Sequence, residues 1–216
     1  MSSKAADFIR AQTVIATPSL VPEIKLYLAT EVTPLWHATE ETLEKSQLPP
    51  PYWAFAWPGG QAVTRLLLDH PAHVRGRTVL DLGAGCGLVA IAAMKAGAAK
   101  ATATEIDDFA IAAIILNAAL NEVEVEVATE DVIGRENAPW QTILIGDMCY
   151  EKPLADRLTV WLRRRVHRGA TVLIGDPGRA YLPKDGLREV GRYTIPTSFD
   201  LEDRTSRETV IWQLNA

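Results

Sequence analysis

A turn with three glycines follows a short apolar segment and gives the sequence its clearest chemical signal. The sequence there is Asp81-Leu82-Gly83-Ala84-Gly85-Cys86-Gly87. Glycine adopts backbone angles closed to other residues and lets a ligand approach the main chain. The spacing of Gly83, Gly85 and Gly87 differs from the Gly-x-Gly-x-x-Gly of dinucleotide folds. Asp81 would repel a pyrophosphate, so the turn favours a nucleoside ligand with a cationic amino group; a merely structural turn is the alternative.

Carboxylates stand at or near the ends of the next two predicted strands. Glu105 ends the second strand, where the ribose hydroxyls of a nucleoside find a carboxylate acceptor. Asp131 follows the third strand, where a carboxylate either accepts a hydrogen bond from an adenine amine or is simply solvated in a loop. Asp107 and Asp108 fit the start of a helix better. S-adenosylmethionine has an α-ammonium and a sulfonium but no phosphate. The pattern therefore predicts it as the cofactor, with Asp81 near its amino-acid end.

The elements that must position these residues alternate between strand and helix from residue 78 onward. Strands are predicted at 78–82, 101–105, 124–128, 142–146, 170–175, 189–195 and 208–214, with a separate edge strand at 23–28. Helices are predicted at 3–13, 35–46, 61–69, 88–96, 109–120 and 154–166. Such alternation predicts a parallel sheet covered by helices, and two last strands joined without a helix predict an antiparallel hairpin.

The fold class is therefore α/β. The combination resembles the Rossmann-like, seven-stranded methyltransferase sheet, which implies helices on both faces; we also expect a small helical N-terminal extension. The length fits a single domain. Within it we expect residues 1–56 to form the extension or lid and residues 57–216 to form the seven-strand core.

Composition limits the classes of protein that the chain can represent. Its 216 residues are 48% hydrophobic and 23% charged with a net charge of −5, whereas a nucleic-acid-binding protein usually has a basic face. No apolar run approaches the roughly 20 residues of a membrane helix. Two cysteines and four histidines without metal spacing predict no metal site. Residues 1–13 lack the apolar core of a signal peptide, so we expect a cytoplasmic monomer without membrane or nucleic-acid partners.

A second group of candidate residues follows the predicted fourth strand. The sequence Asp147-Met148-Cys149-Tyr150 resembles the Asp/Glu-x-x-Tyr/Phe motif of a group of seven-strand protein lysine methyltransferases. The resemblance implies that Asp147 and Tyr150 are catalytic residues beside the methyl acceptor. Two alternatives stay open: Asp147 as the N-cap of the helix at 154–166, and Tyr150 as a core aromatic. Cys149 is expected to pack rather than to act as a nucleophile, because no histidine is near it in sequence.

A segment before the third predicted helix is similar to one family in particular. It runs Pro50-Pro51-Tyr52-Trp53-Ala54-Phe55-Ala56-Trp57-Pro58-Gly59-Gly60-Gln61-Ala62. Together with the Asp147 motif, it resembles the electron transfer flavoprotein β-subunit lysine methyltransferases, of which this chain looks like a bacterial member. The resemblance implies a protein-lysine N-methyltransferase that uses S-adenosylmethionine and has the flavoprotein's β subunit as its protein partner. Trp57 would cover the cofactor or, alternatively, only pack.

Lysine chemistry limits what Asp147 can do. A free lysine has a pKa of about 10.4, so at pH 7 its lone pair is bare only about 0.04% of the time. A nearby carboxylate favours the charged ammonium still more, so we expect Asp147 to capture and orient the ammonium rather than to ease its deprotonation. Tyr150 would form a wall of the channel, where its ring favours a methylated ammonium. Methyl transfer itself is an in-line displacement that depends chiefly on positioning.

Other functions stay open at this point. Related seven-strand enzymes methylate ribosomal proteins. A non-catalytic cofactor-binding module is a second possibility, although such a module has no need of the pair Asp147 and Tyr150. Methylation of a small molecule is a third, although those enzymes often carry a larger lid. The sequence Asp176-Pro177-Gly178-Arg179 after the fifth strand either borders the substrate channel or forms an ordinary turn.

Overall fold

The computed structural model describes residues 3–38, 50–197 and 205–215. The strands in these ranges are β1 (Val14–Ala16), β2 (Leu26–Leu28), β3 (Thr78–Leu82), β4 (Lys100–Thr104), β5 (Glu126–Ala128), β6 (Thr142–Gly146), β7 (Thr171–Asp176), β8 (Leu187–Pro196) and β9 (Ser206–Leu214). The α-helices are α1 (Ser3–Gln12), α2 (Pro58–Asp69), α3 (Leu88–Lys95), α4 (Asp108–Leu120) and α5 (Lys152–His167). Short 3-10 turns occur at Pro34–His37, Tyr52–Ala54 and Pro71–His73.

Seven strands form the central sheet in the order β5-β4-β3-β6-β7-β9-β8. Strands β3 to β7 are parallel, and β9 pairs antiparallel with both β7 and β8. The predicted seven-stranded α/β sheet with a closing hairpin is therefore confirmed. Strands β4 and β5 are added on one side of β3, and the chain then crosses to the other side, where β6 pairs with β3. Ligands of open α/β sheets bind at such a reversal, beside the carboxyl ends of the strands.

The side chains of β6 alternate between the two faces of the sheet, and each face has its own core. Leu144 lies in the cluster that α2 and α3 complete, whereas Ile143 and Ile145 lie in the cluster that α5 completes. Trp161 of α5 is 2% exposed and fills this second core. Because β6 and β7 are buried on both faces, each has a continuous apolar run, at 143–145 and 172–174, rather than an alternation of polar and apolar residues.

The predicted boundaries of the central strands agree closely with the structure. The strands predicted at 78–82 and 142–146 coincide with β3 and β6, and the other five differ by two residues or fewer at each end. In the described residues, no helix has both the length and the apolar character needed to span a membrane.

The N-terminal part differs from its prediction. The segment predicted as an edge strand at 23–28 contains only β2, which pairs with β1 in a separate two-stranded sheet. Side chains from the end of α4 bind this segment instead: the amide oxygen of Asn117 accepts from the N–H of Tyr27 at 2.8 Å, and that of Asn121, the C-cap of α4, accepts from the N–H of Lys25 at 3.1 Å. Of the helix predicted at 35–46, residues 39–46 lie outside the described residues, and the part before them contains only the 3-10 turn.

The first turn of α2 lies directly on the ends of β6 and β7 without side chains between them. A Cβ on Gly59 would lie 2.7 Å from the backbone nitrogen of Asp147 and closer still to the carbonyl oxygen of Gly175. A Cβ on Gly146 would lie 2.7 Å from the nitrogen of Gly60. Gly59, Gly146 and Gly175, none of which has room for a Cβ, thus bring helix and sheet into backbone contact, because no other residue is small enough for this approach.

We expect Gly59→Ala to lower the free energy of unfolding by about 2 kcal/mol or more, because the added methyl group has no room. Gly60→Ala is the matched control in the same helical turn, where the new Cβ would meet only Val89 at 3.8 Å. Its expected effect is between zero and about 1 kcal/mol of stabilisation. Urea denaturation of both variants measures the difference; equal stabilities would contradict the close approach.

Candidate active site

The glycine turn has backbone angles that are closed to other residues, as its sequence predicts. Gly83, Gly85 and Gly87 all have positive φ, at 63°, 53° and 80°. A Cβ on Gly83 would overlap the thioether of Met148, with Cε at 3.0 Å. The turn after β3 and the motif after β6 therefore touch each other. A Cβ on Gly85 would meet only Trp53 Cα, at 4.0 Å, so one side of the turn has open space.

Asp81 lies beneath this turn and is 2% exposed. Its Oδ2 accepts a hydrogen bond from the backbone N–H of Ala90 at 2.9 Å, in the first turn of α3. Burial raises the pKa of Asp81 to about 7; the Ala90 N–H opposes this shift, and the charge of Glu105 adds to it. The carboxylate thus stabilises the start of α3, whose N-cap, Gly87, has no side chain for that purpose.

Glu105 lies directly against the glycine turn. Its Oε1 accepts from the backbone N–H of Gly85 at 2.8 Å, and its Oε2 from Ile106 at 3.2 Å. Burial raises the pKa of Glu105, while these two N–H groups oppose the shift. Asp107 is the N-cap of α4 and accepts from Phe109 at 2.9 Å, so the prediction that it belongs to a helix start is confirmed.

Asp131 is exposed and engaged on both carboxylate oxygens. Oδ1 accepts from the N–H of Ile133 at 2.9 Å, and Oδ2 forms an ion pair with Arg157 of α5 at 2.6 Å. The hydrogen bond from the Arg157 side chain lowers the pKa of Asp131. An adenine amine would have to share the carboxylate with Arg157, so the adenine role of Asp131 stays a prediction.

Asp147 is buried, and its carboxylate closes the N-terminus of α2. The N-cap of that helix is Trp57, whose side chain makes no capping hydrogen bond. Asp147 Oδ2 accepts instead from the N–H groups of Gly59 at 2.6 Å and Gly60 at 3.3 Å. Asp147 itself has a φ of 59°, which turns the chain sharply after β6. The alternative that it caps the following helix is wrong, since the N-cap of α5 is Glu151.

The second oxygen of Asp147 contacts Arg179, for which the sequence predicted no role of its own beyond its place in the segment 176–179. Asp147 Oδ1 accepts from Arg179 Nη2 at 2.8 Å and from Nε at 3.3 Å. Arg179 Cζ lies 5.9 Å from the ring centroid of Trp57. Asp176 Oδ1 holds the turn by accepting from the N–H groups of Gly178 and Arg179, both at 2.7 Å. The segment after β7 is thus a turn and also reaches the site, so the sequence alternatives do not exclude each other.

Asp147, Arg179 and the start of α2 form one corner of the site. The aromatic rings beside this corner, which we call the aromatic rim, are those of Tyr52, Phe55, Trp57 and Tyr150. Ring centroids are 6.1 Å apart for Tyr150 and Tyr52, 6.1 Å for Tyr52 and Trp57, and 5.9 Å for Phe55 and Trp57. Tyr150 is 44% exposed, so the alternative that it is a core aromatic is wrong. Cys149 is buried; burial, followed by the charges of Asp176 and Asp147, raises its pKa to about 12. A thiol of this kind is not a nucleophile at neutral pH.

Animal proteins are similar to this chain over most of its length. The chain is 42% identical to the electron transfer flavoprotein beta subunit lysine methyltransferase of Xenopus laevis, over 95% of this chain and 85% of that protein. The chain belongs to the electron transfer flavoprotein β-subunit lysine methyltransferase family. The human member is 39% identical over 92% of this chain and 77% of that protein. The model of the family described as ribosomal protein L11 methyltransferase (PrmA) matches residues 61–144.

Solved structures share the fold of this family at low sequence identity. Magnesium protoporphyrin IX methyltransferase from Synechocystis PCC 6803, solved with bound S-adenosylhomocysteine, has a TM-score of 0.51 and 16% identity over 71% of this chain and 80% of that chain. The ribosomal protein L11 methylase from Lactobacillus delbrueckii subsp. bulgaricus has a TM-score of 0.50 and 20% identity over 71% and 77%. These likenesses concern the architecture of the sheet and its helices.

Asp81 predicts a specific pH dependence of stability. With a pKa of about 7 in the folded state against an ordinary 3.8, the folded protein holds a proton that the unfolded chain has already released. Stability should therefore fall as pH rises between these values. Relative to Asp81→Asn, the wild-type free energy of unfolding should drop by about 1 kcal/mol per pH unit from pH 5 to 7 and then level off. Urea denaturation across this range measures it, and a flat difference would contradict the shift.

Proposed function

We propose that this protein transfers methyl groups from S-adenosylmethionine to lysine side chains of the electron transfer flavoprotein β subunit. The observation that carries the proposal is the corner where the Asp147 carboxylate and the aromatic rim meet the glycine turn through Met148. A carboxylate beside ring faces suits an ammonium acceptor, and the turn suits a nucleoside cofactor. Relatives that span most of this chain bear the corresponding name.

The residues around the turn fit the cofactor. Glu105 is already within 2.8 Å of the Gly85 amide and has two oxygens for ribose hydroxyls, while Gly83 and Gly87 keep the turn in its positive-φ form. Asp81 supports the turn from below and contributes negative charge near the cationic amino-acid end. Trp57 covers the site from the α2 side. When bound, the cofactor supplies an electrophilic methyl group on a sulfonium.

The acceptor side must position an amine whose charged form predominates in water. Asp147 orients the ammonium, and Tyr150 and its neighbours in the aromatic rim exclude water around it. The carboxylate does not ease the loss of the proton, because it favours the charged form. Rate therefore comes chiefly from in-line alignment of the amine with the methyl group. The cytoplasmic location, the monomeric state and the division of the domain at residue 57 stay predictions.

A ribosomal protein is the second candidate acceptor. The ribosomal protein L11 methyltransferase model matches residues 61–144, a range that contains the glycine turn, Glu105 and Asp131 but ends before Asp147. The match therefore covers the cofactor half of the proposed site and not the acceptor motif. This distribution favours the flavoprotein subunit as the acceptor.

Glu105→Ala should weaken S-adenosylmethionine binding by about 1.5–3 kcal/mol, because charge-assisted hydrogen bonds to the ribose are lost. Glu126→Ala is the control, since Glu126 lies at the start of β5 and pairs with Lys100 outside the proposed site. Titration calorimetry compares both variants with the wild type. Unchanged affinity in Glu105→Ala, or equal losses in both variants, would contradict the ribose role.

The substrate is tested by mass spectrometry of the β subunit from cells with and without the gene. We expect lysines to be methylated only with the gene present, and restoration by wild-type protein but not by Asp147→Asn. Asparagine keeps an oxygen for the Gly59 amide, so the variant should retain its fold and its affinity for the cofactor. Identical lysine masses in both strains would refute the assignment, and methyl groups on a ribosomal protein instead would establish the second candidate.

A further inference from the structure

Every acceptor position of the Asp147 carboxylate is occupied. An ionised carboxylate offers about four positions to hydrogen-bond donors. Oδ2 accepts from the amides of Gly59 and Gly60, and Oδ1 accepts from Nη2 and Nε of Arg179. A lysine ammonium can therefore bind Asp147 directly only if one of these donors moves away.

Arg179 is the donor that is able to move. The two glycine amides belong to the first turn of α2, which is fixed against the ends of β6 and β7. Arg179 is a long side chain that is 21% exposed and extends from a turn. Asp176 holds that turn through backbone N–H groups, so the guanidinium can leave Asp147 without the turn being broken.

The guanidinium already has the surroundings that a lysine ammonium would need. It pairs with a buried carboxylate and lies over the indole ring of Trp57. A carboxylate combined with an aromatic face is the combination that recognises an organic cation. The same partners therefore serve the internal cation and an incoming one.

We propose that the Arg179 guanidinium occupies the acceptor position on Asp147 Oδ1 in the free protein and that the ammonium of the substrate lysine replaces it there. This inference rests on the proposed lysine methylation. Exchange of one cation for another leaves the buried carboxylate compensated throughout. A neutral amide or hydroxyl that displaced Arg179 would leave the charge of Asp147 unpaired, which is costly at a buried position. Arg179 is thus a specificity-determining residue that admits cationic acceptors and rejects neutral ones.

The exchange can be observed without methyl transfer. The ¹⁵N NMR signal of the Arg179 Nε–H group is assigned by its absence in Arg179→Gln, and the wild-type protein is titrated with n-butylammonium and, as a neutral match, with 1-butanol. We expect n-butylammonium alone to move the signal towards those of solvent-exposed arginines. The same response to both compounds, or no response to n-butylammonium, would overturn the proposal.

Kinetics on the flavoprotein β subunit give the second measurement. Removal of the competing cation in Arg179→Gln should lower KM by about tenfold, which corresponds to the loss of one charge-assisted hydrogen bond between Arg179 and Asp147. Arg179→Lys keeps a cation and should return KM to the wild-type value. Arg163→Gln, which breaks an ion pair with Asp185 outside the site, should leave KM unchanged. An unchanged or raised KM in Arg179→Gln would mean that Arg179 only orients Asp147. If the wild type does not methylate this subunit, the proposed function fails, and the NMR titration still decides the exchange.

Discussion

The free N–H groups at the starts of two helices determine how the site is built. Both α2 and α3 begin after a residue whose side chain does not cap them, Trp57 and Gly87. Carboxylates from the sheet supply the missing acceptors: Asp147 binds the first turn of α2, and Asp81 binds that of α3. Because the start of a helix also carries partial positive charge, each contact stabilises both the helix and the buried carboxylate. The two helices are thereby fixed to the carboxyl edge of the sheet.

Burial of these carboxylates sets the electrostatics of the edge. A buried charge is tolerated only when it is paired or hydrogen-bonded, and otherwise the group tends to keep its proton. Asp147 has two amides and a guanidinium, whereas Asp81 has the single amide of Ala90 and a pKa raised to about 7 by burial. Asp176 is intermediate: its Oδ1 accepts two amides, but no described group donates to its Oδ2, and burial raises its pKa. A carboxylate with several hydrogen-bond donors and carboxyl groups whose pKa is raised by burial therefore lie within one region.

Local patterns in the sequence predicted the sheet, but they could not predict which distant groups pair. Strands β3 and β6 were located correctly because their buried apolar runs end at Gly83 and Gly146. A glycine at the end of an apolar run is a signal that neighbouring residues in the sequence provide. Capping of α2 by Asp147 joins residues 88 positions apart, so proximity in sequence suggested the wrong helix. Arg179 lay within a segment for which the sequence left two alternatives open, a border of the substrate channel and an ordinary turn. Its contact with Asp147, 32 positions away, depends on β6 and β7 being neighbours in the sheet.

The two segments that carried the family resemblance turn out to be one structural unit. The Trp57–Gly60 turn supplies the amides, and the motif that begins at Asp147 supplies the carboxylate that they bind. Met148 of the same motif packs on Gly83, so the unit extends to the glycine turn. A change in any of the three segments therefore acts on the others through direct contacts. Two motifs far apart in sequence thus meet at one corner of the fold, where the proposed acceptor and cofactor sites share the same packing.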